Sequence, residues 1–297
     1  NRASYKRMQN KCHYEAKRPG RVARIPVRDC DYAVNEWGDE KSPLLVFLHG
    51  WGDTGSTFQF VVDELREDWF VVAPDWRGFG RTGGSARAYW FPDYLADLDH
   101  LLGHYSPDTP VRLVGHSMGG NIAGLYAGSV PERVASIVNL EGFGLHDTDP
   151  AEAPARYRSW IERGRKRRVV SERESFEVLA QQIRGNAPGI GAPQAEFVAR
   201  EWAAELENGR IRLRADPAHK LPNPVLYRRA EAEACWRRVT ARVLLVAGRN
   251  SPFGAHVELP FVNRQTRWVE DAGHMLHFEQ PAEVARIIEE FLAKPST

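Results

Sequence analysis

The stretch "LVGHSMGG", residues 113 to 120, constrains the fold of this chain more than any other. An apolar run that reads as a buried strand ends on Gly115-His116-Ser117-Met118-Gly119, and a helical run follows from Asn121 to Val130. A serine on so sharp a strand-to-helix turn needs glycine neighbours, because larger side chains would collide with the crossing backbone. Such a turn forms where a strand feeds directly into a helix, so it predicts an α/β fold. It also makes Ser117 a candidate nucleophile. The first helical amides, beginning with Met118, point where negative charge on a substrate oxygen would collect.

The other apolar runs agree. "RVARIPV" and "CDYAVNEW" flank a short polar turn and predict an antiparallel hairpin. "LLVFLHG" (44–50), "DWFVVAPD" (68–75), "RVASIVNLEG" (133–142), "RVLLVAG" (242–248) and "RQTRWVEDAGH" (264–274) follow. Most are aliphatic or β-branched throughout, as strands covered on both faces are. "FPDYLADLDHLLGHY" keeps Tyr94, Leu95, Leu98, Leu101 and Leu102 on one helical face. Val284, Ile287, Ile288 and Phe291 do the same after Pro281. Strand–helix alternation predicts a mainly parallel sheet flanked by helices.

One interval breaks the rhythm. Residues 145 to 238 separate two strands by far more than an ordinary connection. "ESFEVLAQQI", "PQAEFVAREWAAEL" and "EAEACWRRV" have helical patterns, so an inserted helical cap is expected there. The expected organisation is a basic extension over 1–21, a core over 22–144 and 239–297, and the cap over 145–238.

Two further segments bear on Ser117. In "FLHGWGD", His49-Gly50 lets the chain turn after a strand, and the amide of Trp51 can face the serine. Paired with the Met118 amide, it offers an oxyanion two donors, while the His49 side chain is expected only to hold the loop. In "EDAGHMLHFEQPAEV", His274 follows the last strand and precedes the last helix. Parallel strands gather their C-terminal ends on one edge, so a base there can reach a serine far upstream. His277 is expected to line the pocket or pack.

These motifs resemble the α/β-hydrolase superfamily across residues 22 to 295: "HGWGD", "PDWRGFGRT", "GHSMGG" and "AGH…EQP" stand in that family's order. The resemblance implies an α/β-hydrolase fold with an eight-stranded sheet, Ser–acid–His machinery and a cap inserted after the sixth strand. The family's commonest acid follows the seventh strand, where this chain has Gly248-Arg249-Asn250-Ser251 and no carboxylate. A triad lacking its acid loses about 10⁴ in turnover. "SIVNLEGFG" offers Glu141 at the end of the sixth strand, a position that some relatives use, including haloalkane dehalogenases. Asn250 as a neutral orienter, or an acid elsewhere, remains the alternative.

A serine at 117 favours acyl transfer to water, and halide or epoxide displacement through an aspartyl ester would need Asp there. The expected activity is that of a carboxylesterase acting on a small apolar acyl ester. A thioester, lactone or carbon–carbon hydrolase is the alternative, as is a binding protein with decayed catalysis. Trp51, Trp76, Trp90, Trp160, Trp202 and Trp236 supply either core packing or an apolar pocket. No metal or cofactor is expected. His100 and His104 have i, i+4 spacing but no acidic third ligand.

Net charge of +1 gives no global case for nucleic acid or an anionic membrane. The run "RGRKRR" (163–168) lies among glutamates and reads as a solvated helical face. Cys12, Cys30 and Cys235 are scattered and read as free thiols. No apolar run nears the ~20 residues of a membrane span. The first twenty residues lack the apolar core of a secretion signal, so a cytoplasmic location is the default expectation.

Overall fold

The computed structural model describes residues 13–84, 88–166 and 169–293. Eight strands form one sheet: β1 (Arg21–Val27), β2 (Cys30–Trp37), β3 (Leu44–Leu48), β4 (Phe70–Pro74), β5 (Val111–His116), β6 (Val134–Leu140), β7 (Arg242–Gly248) and β8 (Arg264–Val269). Their spatial order is β1-β2-β4-β3-β5-β6-β7-β8. β2 runs antiparallel to β1 and β4, and the other neighbours pair in parallel.

Successive side chains of a strand point to opposite faces, so an all-apolar strand feeds two cores at once. In β3, Val46 and Leu48 enter the cluster on one face while Leu45 and Phe47 enter the other. The first face is covered by α1 (Phe91–Tyr105) and α2 (Met118–Ser129). Leu98, Leu101 and Leu102 of α1 are buried, as their spacing predicts.

The segment between β6 and β7 carries α3 (Ala153–Gly164), α4 (Phe176–Asn186), α5 (Ala192–Trp202) and α6 (Arg229–Arg238). α7 (Pro281–Leu292) then closes the second face with Val284, Ile287, Ile288 and Phe291. Three short strands, Glu172–Arg173, Ala203–Glu205 and Ile211–Leu213, form a separate small sheet in the insertion. The helix expected to reach residue 206 therefore stops at Trp202, because Ala203–Glu205 pairs with Ile211–Leu213 instead. Gly209, at φ 77°, makes the reversal, and the Asn208-Gly209 pair was the hairpin signal.

α6 departs from its expected setting too. It packs against α2, and its Ala232 and Trp236 join the first core cluster rather than the cluster of α4 and α5. α4 and α5 make their own cluster, in which Leu179, Ile183, Val198 and Ala199 meet Phe60 and Phe278 from the main body. Residues 1–12 of the basic extension lie outside the described residues. Beyond them, Lys17 and Arg18 donate their backbone N–H groups to Asp63 at 3.0 and 2.8 Å. Among the described residues no helix is long and apolar enough to cross a membrane.

Candidate active site

β5 ends at His116, α2 starts at Met118, and Ser117 alone makes the turn, at φ 50° and ψ −113°. A non-glycine residue held there costs about 1–3 kcal/mol, which the surroundings must supply. They do so in two ways. The Ser117 N–H donates to the Leu140 carbonyl at 2.8 Å, tying the turn to the end of β6. The flanking glycines admit close backbone: a Cβ on Gly115 would lie 2.5 Å from the Gly119 carbonyl oxygen. The hydroxyl is thus presented at the C-terminal edge of the sheet.

His274 sits in the turn after β8, and its ring Nε2 lies 3.1 Å from Ser117 Oγ. Its backbone is held from below, since His116 Nε2–H donates to the His274 carbonyl at 2.8 Å. On the far side of the ring, Nδ1 lies 3.3 Å from Glu141 Oε2. The Glu141 side chain is fully buried. It extends from the first residue after β6, where the backbone again takes a left-handed conformation (φ 61°).

The Glu141 carboxylate collects donors. Gly248 N–H donates to Oε1 at 2.7 Å, and the Ser251 hydroxyl donates to Oε2 at 2.5 Å. With both oxygens accepting, the Nδ1 proton of His274 has its acceptor on Glu141, and Nε2 is left to accept the Ser117 proton. Ser251, the residue found where an acid was expected, is therefore a neighbour of the carboxylate rather than a gap. Asn250 faces away from this role: its N–H donates to Ala272, and no side-chain bond joins it to His274 among the described residues.

The proposed oxyanion donors divide. Trp51 lines a cavity of about 130 Å³ together with Gly50, Ser117 and His274; the residue is 57% exposed, with its ring edge-on to Phe79. The Met118 side chain packs toward the core while its amide opens α2 directly behind the serine. Trp202 also lines that cavity, whereas Trp76 and Trp236 are core residues. Trp90 and Trp160 are exposed. Phe253 lies with its ring 4.8 Å from that of His274.

Beneath the cavity is a polar cluster that no sequence motif announced as a unit. Asp53 Oδ1 accepts from the Thr54 amide, the Thr57 hydroxyl and the Trp202 indole at 2.8, 2.9 and 2.7 Å. His277 is wholly buried, with Nε2 3.5 Å from Asp53 Oδ2 and its ring 4.2 Å from that of His116. Burial pushes the His277 pKa down to about 3 and His116 well below its usual value. Burial thus favours the neutral form of both rings. Among the described residues, Asp53, His116 and His277 are the one set whose ligand atoms, within 4.8 Å of each other, could surround a metal ion. His100 instead bonds its own helix at the Ala96 carbonyl. Cys30 and Cys235 are free thiols, and Cys12 lies outside the described residues.

His49 has the loop-holding role expected of it, and its burial sets a pH dependence. Nδ1–H donates to the Gly50 carbonyl at 2.7 Å, and Nε2 accepts the Trp76 N–H at 2.8 Å. Burial lowers its pKa to about 4. Between pH ~6.5 and 4 the unfolded chain binds a proton that the folded chain refuses. Stability is therefore fully present above ~6.5 and falls by up to about 1.4 kcal/mol per unit below it. His219, lowered to about 4 chiefly by burial, adds in the same sense. Asp75, raised to about 6 by burial, works oppositely, because its folded form takes up a proton first. Urea unfolding is expected to show lower stability at pH 5 than at pH 7, with the gap narrowed in His49→Gln. Equal stabilities at the two pH values would contradict this assignment.

A family model described as alpha/beta hydrolase fold matches residues 43–281. The chain belongs to that family. Among curated relatives of this α/β hydrolase, a serine hydrolase-like protein of Danio rerio is 26% identical, over 92% of this chain and 88% of its own. Serine hydrolase-like protein 2 of Homo sapiens is 24% identical, over 88% and 90%. The thioesterase domain from the curacin biosynthetic pathway superposes with a TM-score of 0.82, at 20% identity and over 92% and 99% of the two chains. That likeness speaks for the fold alone. The α/β-hydrolase assignment and the serine hydrolase-like relatives together support hydrolase chemistry.

Proposed function

We propose that the protein is a serine hydrolase that cleaves carboxylic esters through an acyl-enzyme. The single observation that carries the reading is the file of contacts Ser117 Oγ–His274 Nε2–Nδ1–Glu141 Oε2, at 3.1 and 3.3 Å. His274 Nε2 takes the serine proton as Oγ bonds to the ester carbonyl carbon, forming a tetrahedral oxyanion. The Trp51 and Met118 amides are the donors for that oxygen. As the C–O bond breaks, His274 returns the proton to the departing alcohol. Water then repeats the sequence and releases the acid. Glu141 fixes the ring tautomer and offsets the imidazolium charge in both halves.

The walls nearest the serine are largely apolar, with Ile183, Trp202, Met275 and Phe278, which suits a small or medium acyl group. Ser117→Asp chemistry is not available to this chain, so displacement of halide is outside the proposal. A fluorophosphonate probe is expected to label one serine per chain, and a p-nitrophenyl ester series to turn over best at short or medium length. A thioester and a lactone in the same panel separate the ester reading from its alternatives. Failure to label, together with negligible turnover of every substrate, would leave a binding protein instead.

A further inference from the structure

The cavity at Ser117 does not end at its apolar walls. Trp51, Asp53, Ile183, Asn186 and Trp202 line both it and a second cavity of about 330 Å³. Ser171, Arg173 and Lys220 are in turn shared between that second cavity and an outer one of about 500 Å³. The three spaces lie in series, from the nucleophile to the surface of the insertion. Along that path the lining changes from apolar to cationic. Arg173, Arg214 and Lys220 line the second cavity, and Arg163 and Lys166 join at the outer one. These last two belong to the basic run read from the sequence as a solvated face; residues 167–168 of that run lie outside the described residues.

How the cations are held is the informative part. Arg173 Nε donates to Gln182 Oε1 at 3.0 Å and Nη1 to the Glu172 carbonyl at 2.9 Å. Arg214 Nε donates to the Ala203 carbonyl at 3.1 Å, and Lys220 Nζ to Ser171 Oγ at 2.5 Å. Arg163 Nη1 reaches the Lys220 carbonyl at 3.4 Å. Every one of these partners is neutral, so the heads are oriented while their charge is not offset. Two carboxylates share the second cavity with them: Asp53 takes three neutral donors and Asp216 accepts from the Tyr89 hydroxyl, while Glu172 of the outer cavity lies 3.4 Å from both Arg210 and Arg212. The second cavity thus holds three cations against two acids, and the outer one Arg163, Lys166, Arg173 and Lys220 against Glu172, with no ion pair joining these cations to a carboxylate among the described residues. Positioned cations in excess attract and orient an anion.

We propose that the Ser117 site serves esters or thioesters that carry an anionic terminus, a carboxylate or a phosphate, seated against Arg173, Arg214 and Lys220. This rests on the hydrolase reading and names its substrate class. The apolar inner cavity takes the segment around the scissile carbonyl, and the cationic cavity takes the charged end. The basic rim also raises the local concentration of anionic substrate before it enters.

The test compares matched pairs at low salt: p-nitrophenyl hydrogen glutarate against p-nitrophenyl pentanoate, and butyryl-phosphopantetheine against butyryl-pantetheine. The charged member of at least one pair is expected to have a kcat/KM about tenfold higher, and the pair showing it tells carboxylate from phosphate. In the double variant Arg173→Gln/Lys220→Gln that ratio should fall toward unity, and salt should lower it in the wild type. A neutral preference in both pairs, or a ratio indifferent to the double variant, would overturn the proposal. A second arm does not depend on turnover. Calorimetric binding of monomethyl glutarate and of inorganic phosphate to Ser117→Ala is expected for at least one probe, and should weaken at least about fivefold when Arg173→Gln/Lys220→Gln is added. Binding without hydrolysis by the wild type would defeat the hydrolase reading and leave the anion site standing. Hydrolysis with no binding difference would do the reverse.

Discussion

Ser117→Ala is expected to lower ester kcat by about 10⁴-fold or more while the fold is retained. The nucleophile contributes a covalent bond, and nothing else at the turn can form one: the ring of His274 faces only that hydroxyl on its Nε2 side. Residual rate over water comes from oxyanion donors and substrate positioning, which the substitution leaves in place. Alanine tolerates φ 50° no better than serine does, so unfolding midpoints should stay close to wild type. The variant should also lose fluorophosphonate labelling. A kcat above a hundredth of wild type, with the protein shown to be free of contaminating esterase, would place the nucleophile elsewhere.

Glu141→Gln should cost about 10⁴-fold in kcat, with a smaller change in KM. The glutamine is nearly isosteric, but its amide brings two N–H groups to a position where three donors already converge: Gly248 N–H, Ser251 O–H and His274 Nδ1–H. At least one donor must then face another, and the ring is driven toward the tautomer with its proton on Nε2, where it cannot accept from Ser117. The imidazolium formed during attack also loses its counter-charge. Ser251 allows a stricter check, because its hydroxyl lies 2.5 Å from the same carboxylate oxygen. The double variant Glu141→Ala/Ser251→Asp is expected to recover at least tenfold over Glu141→Ala, by bringing a carboxylate in from β7. Near-wild-type rates for Glu141→Gln would remove Glu141 from the mechanism, whatever the double variant does.

Much of the scaffold was legible because its signals are local. Strands covered on both faces are apolar without interruption, so β3 and β4 could be read from a few residues each. α1 spans the residues its periodicity indicated, Phe91–Tyr105. Ser117 was singled out by the glycines its turn requires, and His274 by its place between the last strand and the last helix; a Cβ on Gly273 would meet only Glu279 Oε2, at 3.4 Å. Glu141 was reached by elimination, since the turn after β7 carries no acid. What stayed hidden depends on contacts across the chain. The small sheet of the insertion has strands of two or three residues, too short to show an alternation. The seating of Trp202 on Asp53 joins residues 149 positions apart, and although Asp53 closes the "HGWGD" motif, nothing around Trp202 marks it as the partner. The positive φ of Glu141 has no signature either, because the residue is followed, not replaced, by glycine.

The approach of Ser251 to Glu141 bears on how enzymes of this shape diverge. Two chain ends, one from each of two adjacent strands, converge on a single spot beside the imidazole, and either can carry the anion. A lineage can shift its acid from one strand to the other through an ancestor bearing both, in which the pair shares one proton, without passing through a dead intermediate. With Ser251 Oγ 2.5 Å from Glu141 Oε2, the two strand ends are close enough that the strand bearing an acid is a poor guide to kinship among enzymes of this shape.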